Sequence, residues 1–538
     1  MATTLSFFRP LWQRGWLTFG LGAILSSATL AQSLNSQDTV LSWGGVDETQ
    51  SVAETLWVRN TRPVPVQVSG VDLFTRYGQR PFTVADSQFT IAAQDSFPLV
   101  VQFAPQHNVQ HKLMLLLRTD AGLGHWPVGL RGQGVYSRNY YSTTRNKEEQ
   151  ALVTALKTRL AQNYSQLSYR VARDNMYGSL DNSGGQVECV YTGRTANFST
   201  RAGANSNSFN CEHTFPQGKF NQSLPMRSDI HHLFPTDVSA NSRRANDPFG
   251  VVSNANWSQG GSKSGNGKFE PRNAQKGATA RAMMYFVLRY QDYGNHFQGQ
   301  QAILRQWHRQ YPPQTAEKQR NNGIYALQNN RNPFVDYPQL SARITDLLGN
   351  DPIPQNMEVY VSDDTIALGT GTGQYNYGFV LYNSGDVRVN LNAFTLPAGL
   401  NFAQGNPGTV SLDPGEHFRL PIRYDASVAY QGQLSFRQSS TIGFGSRNIP
   451  IRSSVSLGQT EPGKAKNWSL YPNPAQDRVQ LQPAGALQHW QITDLQGRVV
   501  LRGQEAKIEV AQLSAGAYLF RAQDKDGHWQ NRRLVIER

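Results

Sequence analysis

Between residues 35 and 136, apolar side chains come in short runs broken by turn residues. Examples are Leu56-Trp57-Val58, Val64-Pro65-Val66-Gln67-Val68 and Pro98-Leu99-Val100-Val101-Gln102-Phe103. β-Branched and aromatic residues in runs of this length read as strands, and their spacing predicts an all-β sandwich over 35–136. Residues 355–456 repeat the layout. There Phe379-Val380-Leu381-Tyr382-Asn383 leads into Val387-Arg388-Val389, as Leu56 through Asn60 leads into the run at Val64. Asp413-Pro414-Gly415-Glu416 precedes a further strand, as Gln94-Asp95-Ser96 does in the first segment.

The period changes over 137–350. Leu152, Leu156 and Leu160 recur every fourth residue and predict a helix over 147–163. Ala278, Ala282, Tyr285 and Phe286 mark one face of a second helix over 276–290, and two more are expected over 301–310 and 316–328. Between the first two helices the chain is polar and rich in His, Asn, Gly and Pro. That stretch offers little for a core and is expected to form loops that carry function. A Pro/Gly/Lys linker at 461–464 then separates a small β module over 466–538.

Composition sharpens this picture. A chain of 538 residues calls for several domains, and a mean hydropathy of −0.51 argues against a membrane bundle. Residues 1–31 have the form of a signal peptide: Arg9 and Arg14, an apolar stretch from Trp16 to Leu30, then Ala31 before Gln32. That stretch is glycine-broken and short for an anchor, and no other segment is apolar enough to cross a bilayer. The net charge of +13 is confined: residues 137–345 hold 25 Lys/Arg against 13 Asp/Glu, while the rest holds 26 against 25. One domain therefore carries the footprint of a polyanion binder. Cys189 and Cys211 are the two cysteines. In an exported chain they are expected to pair as a disulfide, with free buried thiols or a share of a metal site as the alternatives.

The chemistry concentrates in Asn210-Cys211-Glu212-His213-Thr214-Phe215-Pro216-Gln217, then Met226-Arg227-Ser228-Asp229-Ile230-His231-His232-Leu233-Phe234-Pro235-Thr236-Asp237, then Asn241-Ser242-Arg243-Arg244-Ala245-Asn246. Phosphodiester hydrolysis needs a group that takes a proton from water near neutral pH, which a neutral imidazole such as His213 can do. It also needs positive charge beside the phosphate oxygens. A hard divalent cation supplies this, and it prefers a few oxygen ligands plus water. Glu212 offers a carboxylate and Asn241 an amide oxygen, on a helix expected to start near Thr236. Neighbouring strand residues point to opposite faces, so the chain is expected to bend between Glu212 and His213 for both to serve one site.

These motifs resemble the endonuclease I family of secreted bacterial nucleases, of the ββα-metal (His-Me finger) class. The likeness runs from about Tyr140 to Pro338. It continues through Phe269-Glu270-Pro271-Arg272, Lys276-Gly277, Ala280-Arg281, Trp307-His308 and Arg331-Asn332-Pro333-Phe334-Val335-Asp336. It implies His213 as general base, Glu212 and Asn241 as metal ligands, and Mg²⁺, replaceable by Mn²⁺ or Ca²⁺, as the cofactor. It also implies cleavage of DNA, and often RNA, to 5′-phosphate ends; basic residues with no base-reading motif beside them predict no sequence preference. The family's phosphate-steadying arginine does not transfer by position, so Arg227 and Arg281 are the candidates, with Arg243 and Arg244 as further phosphate contacts. His231, His232 and Glu270 are expected to support the site from behind. Glu270 is expected to pair with Arg272, and Lys276 and Arg289 to face phosphate or solvent.

The last module resembles the C-terminal sorting domain of the type IX secretion system. It has the Tyr471-Pro472-Asn473-Pro474 opening, the Asp494-Leu495-Gln496-Gly497-Arg498 turn and the Leu513-Ser514-Ala515-Gly516-Ala517-Tyr518 strand, in that order. The likeness implies export through that machinery to the cell surface or medium. The whole is expected to be an α+β nuclease core (137–350) between two immunoglobulin-like sandwiches (35–136 and 355–456), with a β-sandwich sorting domain at 466–538. The rival reading is a non-catalytic surface adhesin that holds extracellular DNA. It has no need of the Glu212, His213 and Asn241 set.

Overall fold

The structure, a computed structural model, describes residues 34–36, 39–119, 122–291, 295–348, 355–453, 469–471, 473, 475–482, 487–494, 499–524 and 529–536. The leader at 1–31, the linker at 461–464 and residues 495–498 of the sorting-type turn lie outside them. The chain divides into two compact units, Met1–Val455 and Ser456–Arg538. The protein is of mixed α and β structure, rich in sheet. Among the described residues no helix is long and apolar enough to cross a membrane.

In the first unit, a four-stranded sheet centred on Val52–Asn60 and Ser96–Phe103 faces a five-stranded sheet centred on Gln110–Thr119. Leu56, Val58, Leu99 and Val101 meet Leu113, Leu115, Leu117 and Val128 in one core. The segment 359–453 repeats a four- and a five-stranded sheet around Phe379, Leu381, Ile422, Leu434 and Ile451. These two layered segments do more than flank the middle of the chain: they pack on each other. Met114 and Leu116, on the outer face of their strand, bury against Val380 and Tyr382. The Tyr424 hydroxyl donates to Gly122 O at 2.8 Å, and Arg118 Nη2 donates to Tyr360 Oη at 2.7 Å. Gly124, at φ +71°, passes so close to Gly378 that a Cβ would run into its backbone.

The middle segment contains α1 (Glu149–Ala161), α2 (Tyr169–Asn175), β1 (Phe209–His213), β2 (Leu233–Asp237), α3 (Val238–Arg244), α4 (Asn273–Tyr290), α5 (Gln301–Gln310) and α6 (Thr315–Gln328). The four helices expected from periodicity are present within a few residues of their expected bounds. However, α4 does not bury one face only. Met283, Met284, Tyr285, Phe286, Val287 and Leu288 are all buried, because α4 is the central rod about which the other elements pack. The polar stretch before it also contributes core. Phe209, Phe215, Phe220, Ile230, Leu233, Phe249 and Phe269 join the same cluster, spaced singly among polar neighbours where no period reveals them. The segment is tied to the first sheets through Arg343, whose Nη1 donates to Asn108 Oδ1 at 2.7 Å.

A buried carboxylate organises the turn between β1 and β2. Asp229 Oδ2 accepts from Tyr285 Oη (2.8 Å), Arg289 Nη1 (2.6 Å) and Tyr290 Oη (2.8 Å). Its Oδ1 accepts from Gln328 Nε2 at 2.8 Å. Arg289 is thus an interior counter-ion and not a phosphate contact. Burial pushes the Asp229 carboxyl up, but Arg289 and the donated hydrogen bonds outweigh it and hold the group far below the usual carboxylate range.

The second unit has a three-stranded sheet of Ser469–Tyr471, Arg478–Gln482 and Lys507–Glu509 and a four-stranded one that includes Gly516–Asp524 and Trp529–Ile536. Val479, Ile492, Ile508, Phe520 and Leu534 fill the space between them.

Replacing Asp229 by Ala strands Arg289 in the interior and is expected to cost about 3–5 kcal/mol, read by denaturant titration. Because the folded-state carboxyl is held low, this stabilisation is complete above the unfolded carboxyl range and is lost as pH falls below it. The wild-type advantage over the variant should therefore shrink on acidification; an advantage that grew instead would contradict the assignment.

Candidate active site

Strands β1 and β2 form an antiparallel pair with Asn210 opposite Thr236, Glu212 opposite Phe234 and His213 opposite Leu233. The register is unbroken, and Thr214 N continues it to His232 O at 2.9 Å. The bend expected between Glu212 and His213 is therefore absent. Alternation sends Asn210 and Glu212 to one face and Cys211 and His213 to the other. Among the described residues β1 pairs with β2 alone, so no strand covers its other edge.

On the Glu212 face the carboxylate is 2 % exposed. Its Oε1 accepts from Tyr191 Oη at 2.7 Å and meets Arg244 Nε at 3.0 Å. Burial lifts the carboxyl above its ordinary range, while Arg244 and Tyr191 pull it back. Asn241, on α3, donates from Nδ2 to Asn210 Oδ1 at 3.0 Å. This bond brings Asn241 to the face that Glu212 shares with Asn210 and leaves the amide oxygen as its acceptor end. Helix α3 starts one residue later than expected, with Asp237 and not Thr236 at its N-cap.

On the other face, His213 Nε2 lies 3.1 Å from Arg227 O. A carbonyl can only accept, so Nε2 carries the proton and Nδ1 keeps its lone pair. Burial, then His232 and the guanidinium groups of Arg227 and Arg173, hold the imidazole well below its usual range and therefore neutral. The Tyr169 ring sits 5.4 Å from the His213 ring. The guanidinium carbons of Arg173 and Arg227 lie 4.2 and 4.6 Å from the same tyrosine. Both arginines are half-buried, and each has an Nε without a partner among the described residues.

The other expected site residues fare differently. His232 stands beside His213 (ring centroids 5.5 Å) and donates from Nε2 to Met226 O at 2.7 Å. His231 donates to Asn330 O at 3.2 Å and packs on Tyr285, behind the turn. Glu270 is bonded to Lys276 Nζ (2.8 Å) and Val252 N (2.9 Å), so its partner is not Arg272, and Lys276 is not a phosphate contact. Arg272 pairs with Glu188 instead. Arg281 is excluded from phosphate binding, since two of its nitrogens hold Glu317 at 2.6 Å and the third holds Tyr311 O at 2.8 Å. Arg244 is excluded too: it is fully buried, with Nη2 on Thr214 O at 2.7 Å, and acts as counter-ion to Glu212. Arg243 is exposed. The expected disulfide does not form. Cys189 and Cys211 are free, the former accepting from Asp237 N at 3.1 Å and the latter lying 3.7 Å from Glu212 O. Each sulfur is directed into a different backbone environment of the strand pair. Among the described residues no three His, Cys, Asp or Glu side chains converge as a metal cage. An oxygen pair of one carboxylate and one amide does fit a hard cation that keeps several waters.

Sequence reasoning missed Tyr169, Arg173, Tyr191 and Asn210. Only Asn210 left a signal, two residues before Glu212 and hence on its face.

The fold and site define a multidomain protein with a basic α+β domain that carries a neutral imidazole and a buried carboxylate on opposite faces of strand β1, and an amide on the adjoining helix α3. The family of that domain follows from comparison: residues 141–339 match the family model described as Endonuclease I, and residues 469–537 match the secretion system C-terminal sorting domain. The chain therefore carries a nuclease-family domain and the sorting signal of a secreted or cell-surface protein. It is 28% identical over 228 residues to an extracellular ribonuclease of Bacillus amyloliquefaciens, covering 39% of this chain and 78% of that protein. A Bacillus subtilis (strain 168) extracellular ribonuclease is 28% identical over 225 residues, covering 38% and 77%. An extracellular deoxyribonuclease of Aeromonas hydrophila is 33% identical over 132 residues, covering 22% of this chain and 53% of that protein.

Burial lifts the Cys211 thiol to about 12, and a thiolate is the reactive form. The native protein should resist iodoacetamide, whereas protein unfolded without reductant should take up label at both cysteines. Absence of label in the unfolded state would restore the disulfide.

Proposed function

We propose that residues 137–350 act as a ββα-metal (His-Me finger) endonuclease that hydrolyses phosphodiester bonds of DNA, and of RNA, without sequence preference. The reading takes 35–136 and 355–456 as immunoglobulin-like sandwiches that brace it and 466–538 as the type IX sorting domain. One observation carries it: the hydrogen bond from His213 Nε2 to Arg227 O, which leaves Nδ1 a free base on the strand that bears Glu212.

The scissile phosphate lies along the edge of β1 that no strand covers, within reach of His213 from one face and of Glu212 and Asn241 from the other. Neutral His213 takes a proton at Nδ1 from a water, whose oxygen bonds to phosphorus. The bond to the 3′-oxygen breaks, the departing oxygen is protonated from solvent, and the phosphate remains on the 5′ side. Glu212 and Asn241 are the residues that would hold a divalent cation, Mg²⁺ by their hardness. When bound, it offsets the negative charge that builds on the phosphate oxygens and the leaving oxygen. Arg244 and Tyr191 keep the Glu212 carboxylate oriented. Arg173 and Arg227 offer guanidinium groups next to His213 for the non-bridging oxygens, and Arg243 offers an exposed charge for flanking backbone. Phosphate contacts without a base-reading motif bind without sequence preference. Relatives named as ribonucleases and as deoxyribonucleases favour a site that does not discriminate by sugar.

His213→Ala should lower the rate of plasmid nicking by about 10²–10⁴-fold, the usual contribution of a general base, with DNA binding in EDTA retained. EDTA should stop the wild type and added Mg²⁺ should restore it; restoration by Zn²⁺ alone would contradict the oxygen-ligand assignment. Arg173→Ala and Arg227→Ala should each weaken cleavage by about ten- to a hundredfold, the range of a lost charged hydrogen bond. Wild-type rates in both would remove them from the site.

A further inference from the structure

Where α6 passes the N-terminal turn of α4, a cleft of about 1070 Å³ opens, large enough to enclose a small ligand. Every charged side chain on its wall is already spent. Asp181 holds Arg320 at 2.7 Å, Glu317 holds Arg281 at 2.6 Å, and Glu188 holds Arg272. In the most basic part of the chain, this cleft therefore presents paired charge. That suits an uncharged group and not a phosphate.

Its walls are of two kinds. Leu180, Val190, Phe234 and Leu327 supply apolar surface, and Gln310 and Gln314 supply amides at the mouth. Gln275 also lines the cleft. It is 7% exposed, and its Nε2 has no hydrogen-bond partner among the described residues. A buried amide donor left unpaired is costly, so a rotation of the Gln275 side chain that brings Nε2 to an acceptor in the cleft would relieve it. Asn273 and Ala274 stand beside it in the first turn of α4, where helix geometry leaves backbone N–H groups without an internal acceptor. The cleft thus asks for something neutral, partly apolar and rich in acceptors.

Phe234 ties the cleft to the catalytic strand pair, since it stands directly opposite Glu212 in the β1–β2 register. The neutral part of a polyanion bound at that hairpin is its base. We propose that the cleft receives an unpaired nucleobase of the bound strand. The base lies against the Leu180 and Leu327 surface, and its carbonyl and ring-nitrogen acceptors are met by Gln275 Nε2 and the Asn273 and Ala274 N–H groups of α4. This inference rests on the nucleic-acid reading of the site and assigns the enzyme a preference for single-stranded or locally unpaired substrate.

The test uses the full-length protein in EDTA, with fluorescence anisotropy on a short labelled single strand and on an abasic strand of the same length and charge. The wild type should bind the base-bearing strand about tenfold more tightly, within the range of one base held by stacking. Ala316→Trp and Ala326→Trp fill the cleft from exposed positions on α6, where a large side chain does not disturb the core. Both should abolish the difference while keeping the wild-type affinity for the abasic strand, and Gln275→Leu should reduce it. Equal binding of the two strands by the wild type, or a preference that survives both tryptophans, overturns the proposal. A wild type that shows the preference but cuts neither strand with Mg²⁺ would sustain the cleft and overturn the nuclease reading instead.

Discussion

The site depends on one acceptor that has no alternative role. The carbonyl of Arg227 can only receive a hydrogen bond, so the ring nitrogen of His213 that faces it must be protonated and the other must be the base. The carbonyl holds that position because Asp229, two residues later, is fixed by Tyr285, Arg289, Tyr290 and Gln328. A charge in the interior thus sets the tautomer of a ring that is itself buried.

The opposite face of the same strand is arranged by charge balance. Glu212 is too buried to remain ionised unaided, and Arg244, fully enclosed, is its counter-ion. The basic residues of the domain therefore divide into two groups. Arg244, Arg281 and Arg289 neutralise interior carboxylates, while Arg173, Arg227 and Arg243 remain partly or wholly accessible. Net charge counted along the chain cannot separate these groups, which is why Arg244 and Arg281 read as phosphate contacts from the sequence and prove to be structural.

Much of the architecture was legible because it rests on period. The leucines at 152, 156 and 160 gave their helix, and the strand runs gave their sheets. The packing of the two sheet segments on each other was also written in the chain. Leu113-Met114-Leu115-Leu116-Leu117 is apolar without alternation, as is Phe379-Val380-Leu381-Tyr382, and such runs mark strands covered on both faces. The isolated phenylalanines of the polar stretch left no such trace. Glu212, His213 and Asn241 were expected from motif order, and strand alternation carries the unread signal that sets Asn210 on the Glu212 face. Tyr169 and Arg173 reach His213 from a helix some forty residues earlier in the chain, and no local pattern carries that information. The disulfide expectation failed because compartment and cysteine count say nothing about where two sulfurs point.

The most direct measurement of the central claim is the protonation pattern of the His213 ring, read from long-range ¹H–¹⁵N correlations of histidine-labelled full-length protein and assigned with a His213→Gln variant. The account requires a neutral ring protonated on Nε2 at neutral pH. A proton on Nδ1, or an imidazolium at that pH, would contradict it.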